Sequence, residues 1–70
     1  MSRSVVGVDA WGDAFIVGTD DGVVWCFDKD SLQYLWHIKT DERLSAGPVS
    51  SGNGIFVGTE SGKILGFLKE

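Results

Sequence analysis

Short apolar runs separated by polar, glycine-containing turns recur along the whole chain. Residues 15–17 and 23–27 are consecutive apolar residues, and between them lies a polar Thr-Asp-Asp-Gly segment, residues 19–22. Glycine takes positive φ without a Cβ clash and aspartate tolerates unusual backbone angles, so this segment predicts a β-hairpin turn. No segment has apolar residues at helical spacing over three turns. We therefore expect an all-β chain with essentially no helix.

The same pattern returns forty residues later. Aligned at this offset, residues 5–30 and 45–70 share mainly turn glycines and core positions: Gly7/Gly47, Gly12/Gly52, Val17/Val57, Gly18/Gly58, Thr19/Thr59, Gly22/Gly62, Phe27/Phe67 and Lys29/Lys69. A period near forty in a strand-rich chain is typical of the blades of a β-propeller. The repeat thus predicts one repeat domain over residues 1–70, with a first blade at about 4–40 and an incomplete second blade at about 44–70.

About seven short antiparallel strands are expected, four in the first sheet and three in the second. Their predicted positions are residues 4–10, 15–18, 23–27, 32–38, 44–50, 55–58 and 63–68. By the two-residue period of a strand, Val6 and Val8 should share one side, and Leu35 should lie opposite to Tyr34 and Trp36.

Consecutive apolar residues in the central strands predict that both faces of each sheet are covered, because a strand with one wet face alternates. Two blades alone leave one face of each uncovered. A lone cysteine, Cys26, excludes an intramolecular disulfide, and a lone histidine, His37, excludes a Cys/His metal cluster. We therefore expect a homo-oligomer that completes the blades, with a dimer favoured and a ring of three or four chains as the competing outcome. The open edge of the last strand should pair with another chain.

Charge and hydropathy narrow the classes of partner. Ten acidic against six basic residues give a net charge of −4, which disfavours a nucleic-acid partner. No apolar run is long enough for a signal peptide or a membrane span, so we expect a cytoplasmic chain without a membrane partner.

Residues 26–36 carry a family resemblance. Cys26 followed by Asp28, Ser31 and Trp36 resembles the tryptophan-docking motif of quinoprotein-type propellers, which has a small residue, Asp two places on, then Thr-Gly, and Trp at the eleventh place. Leu32 stands where that motif has glycine. The chain is thus similar to pyrroloquinoline-quinone-like β-propeller repeats, over about 1.75 blades.

The resemblance implies structural roles in the contact between blades. Trp36 is expected to dock between adjacent blades, and Asp28 and Ser31 to form the turn that holds it. The turn glycines expected to matter for the same reason are Gly18, Gly22, Gly58 and Gly62.

The polar residues favour turn chemistry over catalysis. Asp20 and Asp21 precede a turn glycine, and the later positions of a calcium loop that would begin at Asp28 are filled by unsuitable residues. His37 has no recognisable nucleophile elbow around it. We expect no catalytic, metal or cofactor-binding residue and no enzymatic activity. The aromatic residues form core or contacts between blades, with a ligand cleft as the alternative.

Three functions follow as hypotheses. The main one is a non-enzymatic, self-associating propeller-repeat protein that acts as a scaffold or protein–protein interaction module. The alternatives are a fragment of a larger quinoprotein dehydrogenase propeller and a small-molecule-binding protein with a cleft between subunits.

Overall fold

The computed structural model describes residues 4–68 and contains two antiparallel sheets. Its strands are β1 (Val5–Trp11), β2 (Ala14–Thr19), β3 (Val23–Asp28), β4 (Tyr34–Lys39), β5 (Leu44–Ser51), β6 (Gly54–Thr59) and β7 (Ile64–Leu68). Sheet A has the order β1-β2-β3-β4 and sheet B the order β5-β6-β7. The prediction of an all-β fold with antiparallel sheets of four and three strands is confirmed. Within the described residues, no helix is long and apolar enough to cross a membrane.

The two predicted hairpin turns have the same geometry in both sheets. Gly22 and Gly62 have φ of 96° and 90°, a region that glycine enters without a Cβ clash. Each amide donates a hydrogen bond of 3.1 Å, to the carbonyl oxygen of Thr19 and of Thr59 respectively. Both threonines are buried. The turn chemistry read from the sequence therefore fixes where β2 and β3, and β6 and β7, reverse direction.

A β-bulge changes the side-chain order predicted for β4. Phe27 pairs with Tyr34 and Cys26 with Trp36, so Leu35 is an extra residue in the ladder. Tyr34 and Trp36 consequently lie on opposite faces, and the prediction that they share one was wrong. The strand also begins at Tyr34, two residues later than expected, because the backbone at residue 32 still belongs to the preceding turn.

A second irregularity lies in β1. The register shifts between Val5 and Gly7, so Val6 does not alternate regularly with Val8. Val6 packs against the core, whereas Val8 is 60% exposed on the other side of the sheet. The prediction that these two valines share a side was wrong, because an extra residue inverts the alternation.

The core lies between the two sheets. Its fully buried side chains come from both of them: Ile16, Val24, Cys26, Leu44, Ile55 and Val57. Strands β1 and β5 approach most closely across the sheets. This approach depends on two glycines of sheet A, since a Cβ on Gly7 would collide with the carbonyl oxygen of Gly47, and a Cβ on Gly18 would lie 2.9 Å from Pro48.

Candidate functional site

A cleft of about 600 Å³ opens between the sheets, beside their outer strands. Its lining includes the apolar side chains of Trp11, Trp36, Ile55 and Phe67 and the acidic residues Asp13 and Asp28. Strand β1 packs against β5 at the inner side of the molecule, whereas the cleft is bordered by residues of β4 and β7. The two sheets therefore form a wedge, closed at the inner strands and open at the outer ones.

Trp36 lies at this cleft. Its ring meets the ring of Trp11 edge to face, with a centroid distance of 5.8 Å and an interplanar angle of 88°. The side chain is half-buried and packs against the core between the sheets. It thus combines packing contacts with partial access to the cleft.

Asp28 and Ser31 form the turn before β4. One carboxylate oxygen of Asp28 accepts hydrogen bonds from the Ser31 amide at 2.8 Å, the Ser31 hydroxyl at 2.9 Å and the Asp30 amide at 3.2 Å. The two bonds from Ser31 hold the pKa of Asp28 below its ordinary value, because they favour the charged form. Leu32, at the place of the motif's glycine, has φ of 61°. The turn keeps a left-handed residue there although the side chain has changed.

The described residues do not fit the calcium ion of the quinoprotein enzymes. Asp28 directs its bonded oxygen into its own turn. Within the described residues, no group of three or more histidine, cysteine, aspartate or glutamate side chains could hold a metal ion.

The four glycines predicted to matter for contacts between blades differ between the two repeats in how closely other residues approach them. Gly18 packs against β5, and a Cβ on Gly22 would collide with the carbonyl oxygen of Glu42. The equivalent positions in the second repeat are open. A Cβ on Gly58 would have Ala46 as its nearest neighbour at 3.6 Å, and nothing lies within 4 Å of one on Gly62. Close approach therefore constrains the glycines of the first repeat, which face the second repeat and its link.

A hydrogen bond between the sheets was not anticipated from the sequence. Asp9 in β1 accepts from the Ser50 amide at 2.8 Å and from the Ser50 hydroxyl at 3.1 Å. These bonds lower the pKa of Asp9, the amide having the larger effect. The available signal was an aspartate between Gly7 and Trp11, on the side of β1 that faces sheet B.

Ion pairs tie the link at residues 40–43 to both hairpin turns. Arg43 lies 3.4 Å from Asp20 and 3.6 Å from Glu60. Glu42 accepts hydrogen bonds from the Ser61 hydroxyl at 2.7 Å and the Lys63 ammonium at 3.0 Å, which lower its pKa. Asp20 thus serves the turn and its link, in agreement with the structural interpretation of the Asp-Asp pair.

The face of sheet A directed away from sheet B, called outer face A, is aromatic. Phe15 and Phe27 stack with centroids 5.5 Å apart, and Trp25 contacts both Tyr34 and His37. His37 Nδ1 lies 2.6 Å from the Tyr34 hydroxyl. These rings cover one another, so most are only half-exposed.

The corresponding face of sheet B, called outer face B, is also apolar. The ring of Phe56 lies over two glycines, 3.0 Å from where a Cβ on Gly54 or on Gly66 would be. Phe56 is 38% exposed and Ile64 is 73% exposed. Each sheet therefore buries one apolar face against the other and presents a second apolar face outward.

Two antiparallel sheets that repeat at a forty-residue offset and stack face to face make this an all-β chain. Over 56 residues, 80% of its length, the chain is 36% identical to outer membrane protein assembly factor BamB of Bordetella pertussis strain Tohama I. It spans 14% of the length of that protein. No family model matches the chain, and no solved structure does. The similarity supports a relationship to β-propeller repeats.

Proposed function

We propose that the chain supplies two consecutive blades of a β-propeller related to the outer membrane protein assembly factor. In this role it works by binding other proteins, without catalysis. The observation that carries the proposal is the packing of two like sheets at a forty-residue offset, joined at β1 and β5, in a chain with this sequence similarity. Of the alternatives drawn from the sequence, a fragment of a larger propeller fits these findings better than a self-sufficient scaffold.

Three carboxylates form hydrogen bonds that hold the fold together, which supports a structural role. Asp9 joins the two sheets, Asp28 holds the turn before β4, and Glu42 holds the link to the second hairpin. Each of these carboxylates has a lowered pKa. A general acid at neutral pH needs the opposite, a raised pKa. The proposal therefore assigns these side chains to folding and to contacts between blades.

A chimera tests the proposal. The segment of the Bordetella pertussis factor that matches this chain is replaced by the 56 matching residues, and the chimera is expressed in cells that lack the native factor. We expect the chimera to fold and to restore the amount of outer membrane protein that is assembled. Assembled and unassembled outer membrane proteins are compared by heat-modifiable gel mobility.

A chimera that also carries Lys29→Ala serves as the control, since Lys29 is exposed in a turn. Circular dichroism and protease resistance report whether each chimera is folded. A folded chimera that leaves assembly at the level of the deletion strain would overturn the binding role. A chimera that cannot fold in that position would overturn the blade assignment.

The cleft favours a second candidate function, the binding of a flat aromatic molecule between the sheets. Trp11 and Trp36 meet edge to face at its lining, which offers an apolar surface of the kind that aromatic ligands use. A thermal-shift screen of aromatic compounds tests it, with Trp36→Phe as the comparison. If no compound raises the melting temperature of the unchanged chain, or if each compound stabilises the unchanged chain and Trp36→Phe equally, the result would count against this candidate.

A further inference from the structure

The surface with which sheet B packs onto sheet A is repeated on outer face A. Sheet B directs four apolar side chains towards sheet A: Ile55, Val57, Leu65 and Phe67. Forty residues earlier in the sequence stand Phe15, Val17, Trp25 and Phe27. These residues lie on outer face A, and several form the aromatic contacts described above. Outer face A therefore occupies the same positions of the repeat as a surface whose partner is known from within the same chain, with two residues identical and aromatic rings in place of Ile55 and Leu65.

The receiving surface is repeated as well, on outer face B. In sheet A it includes Ile16 and Val24, both 0% exposed beneath sheet B. Their equivalents are Phe56 and Ile64, which are 38% and 73% exposed. The sequence thus places a receiving surface on outer face B that is still open to solvent.

The packing beside Gly18 illustrates the match. Pro48 of sheet B lies against Gly18, where a side chain would leave no room. Val8 is the equivalent of Pro48 on outer face A, and Gly58 is the equivalent of Gly18 on sheet B. A Cβ on Gly58 would have its nearest neighbour at 3.6 Å, so nothing lies against Gly58 as closely as Pro48 lies against Gly18.

The polar contact between the sheets has an apolar equivalent. The partners Asp9 and Ser50 correspond to Val49 and Ala10, both exposed. An apolar pair leaves no buried charge to satisfy when these surfaces meet. The contact can therefore form between copies without the hydrogen bond that joins the two sheets inside one copy.

From this correspondence we propose that outer face A of one copy of the chain packs onto outer face B of the next copy, head to tail. The proposal rests on the assignment of the chain as a blade pair. Such a contact uses two different surfaces, so each added copy again presents one free face of each kind. It differs from the two-fold dimer expected from the sequence, in which one surface would pair with itself.

Two single substitutions separate these arrangements. Val8→Lys places a charge on outer face A, and Ile64→Lys places one on outer face B. Both side chains are more than half exposed, so the substitutions should leave the fold intact, which circular dichroism checks. Light scattering coupled to gel filtration measures the mass of each protein at micromolar concentration.

For the unchanged chain we expect a mass of three or more copies. Each variant alone should have the mass of one copy, because one of the two required faces is blocked. An equimolar mixture should form a dimer of twice that mass, since the intact faces belong to different partners. The control Asn53→Lys adds the same single charge at an exposed turn and should keep the mass of the unchanged chain.

Three outcomes would overturn the head-to-tail contact: a monomeric unchanged chain, a variant that still self-associates alone, or a mixture that stays monomeric. A dimer that persists in one variant would show a two-fold contact through the other face. The chimera experiment is read independently. A functional chimera beside a monomeric free chain would remove this inference and leave the proposed function standing.

Discussion

Leu32 holds a backbone conformation that side chains rarely adopt, with φ of 61° and 64% of its surface exposed. A left-handed conformation costs a residue with a Cβ about 1–2 kcal/mol. Glycine avoids this strain, but it makes the unfolded chain more flexible, which offsets part of the gain. We expect Leu32→Gly to raise the free energy of unfolding by about 0.5–1 kcal/mol, measured by urea denaturation. Leu32→Ala keeps the Cβ and should give no such gain. Equal stability of the two variants would show that the turn carries no strain.

Gly22 and Gly62 form a natural pair for testing the link at residues 40–43. Both have positive φ, but only Gly22 lies under the link. A Cβ added to Gly22 would collide with the Glu42 carbonyl oxygen and lie 2.9 Å from Thr40 Oγ1. Gly62→Ala should therefore cost only the backbone strain, about 1 kcal/mol. Gly22→Ala must also displace the link, and should cost about 2–4 kcal/mol. Thermal unfolding of both variants decides, and equal losses would contradict the close approach.

At the scale of elements, Trp36 connects β4 to the contact between the sheets. Replacing a fully buried tryptophan by alanine costs about 3–5 kcal/mol, but this ring is half-exposed at the cleft. We expect Trp36→Ala to lower the free energy of unfolding by about 2–3 kcal/mol. Trp36→Phe keeps an aromatic ring near Trp11 and should lose less. Urea denaturation compares the three proteins, and an alanine variant as stable as the phenylalanine variant would argue against docking by the ring.

The strands were largely predictable because their limits depend on local chemistry. The Thr-Asp-Asp-Gly and Thr-Glu-Ser-Gly turns place β2, β3, β6 and β7 within a residue or so of the observed limits. The bulges at Val6 and Leu35 were not predictable in the same way. A two-residue period assumes a regular ladder, and an extra residue that appears only on pairing with a neighbouring strand inverts every later side chain.

At the scale of the whole molecule, the candidate site was predicted in its residues more than in its contacts. The turn at Asp28 and Ser31 could be read from a motif within eleven residues, whereas the docking of Trp36 between blades stays a prediction. The bond from Ser50 to Asp9 joins residues forty-one apart, and the ion pair of Arg43 with Asp20 joins residues twenty-three apart. Such contacts arise only when the two sheets stack, so the hydrophobic pattern contains no direct sign of them.

The same contact between sheets predicts how stability depends on pH. Asp9, Asp28 and Glu42 have pKa values lowered by folding, so they stabilise the protein above about pH 4 and lose this contribution as the pH falls through the folded values. We expect the urea midpoint to change little between pH 7 and 5 and to fall below pH 4.

Ser50→Ala should make that decline shallower, because it removes one hydrogen bond that lowers the pKa of Asp9. The variant should be less stable than the unchanged chain at pH 7, and the difference should narrow in acid without closing, because the hydrogen bond from the Ser50 hydroxyl to the Ala10 carbonyl oxygen is lost at every pH. Ser51→Ala, at an exposed neighbouring position, is the control and should follow the unchanged chain. Parallel curves for all three proteins would show that the Ser50 hydroxyl does not lower the pKa of Asp9.

The cleft between the sheets also contains a thiol whose reaction rate can report local opening of the structure. Cys26, the chain's only cysteine, is 1% exposed, lines the cleft and pairs with Trp36 across β3 and β4. Because the residue is almost fully buried, a thiol reagent should reach its sulfur only when the packing around it opens transiently, so the labelling rate measures how often this happens. A molecule bound in the cleft should slow this labelling further. The rate at Cys26 would then report both local opening and ligand binding, without an added dye.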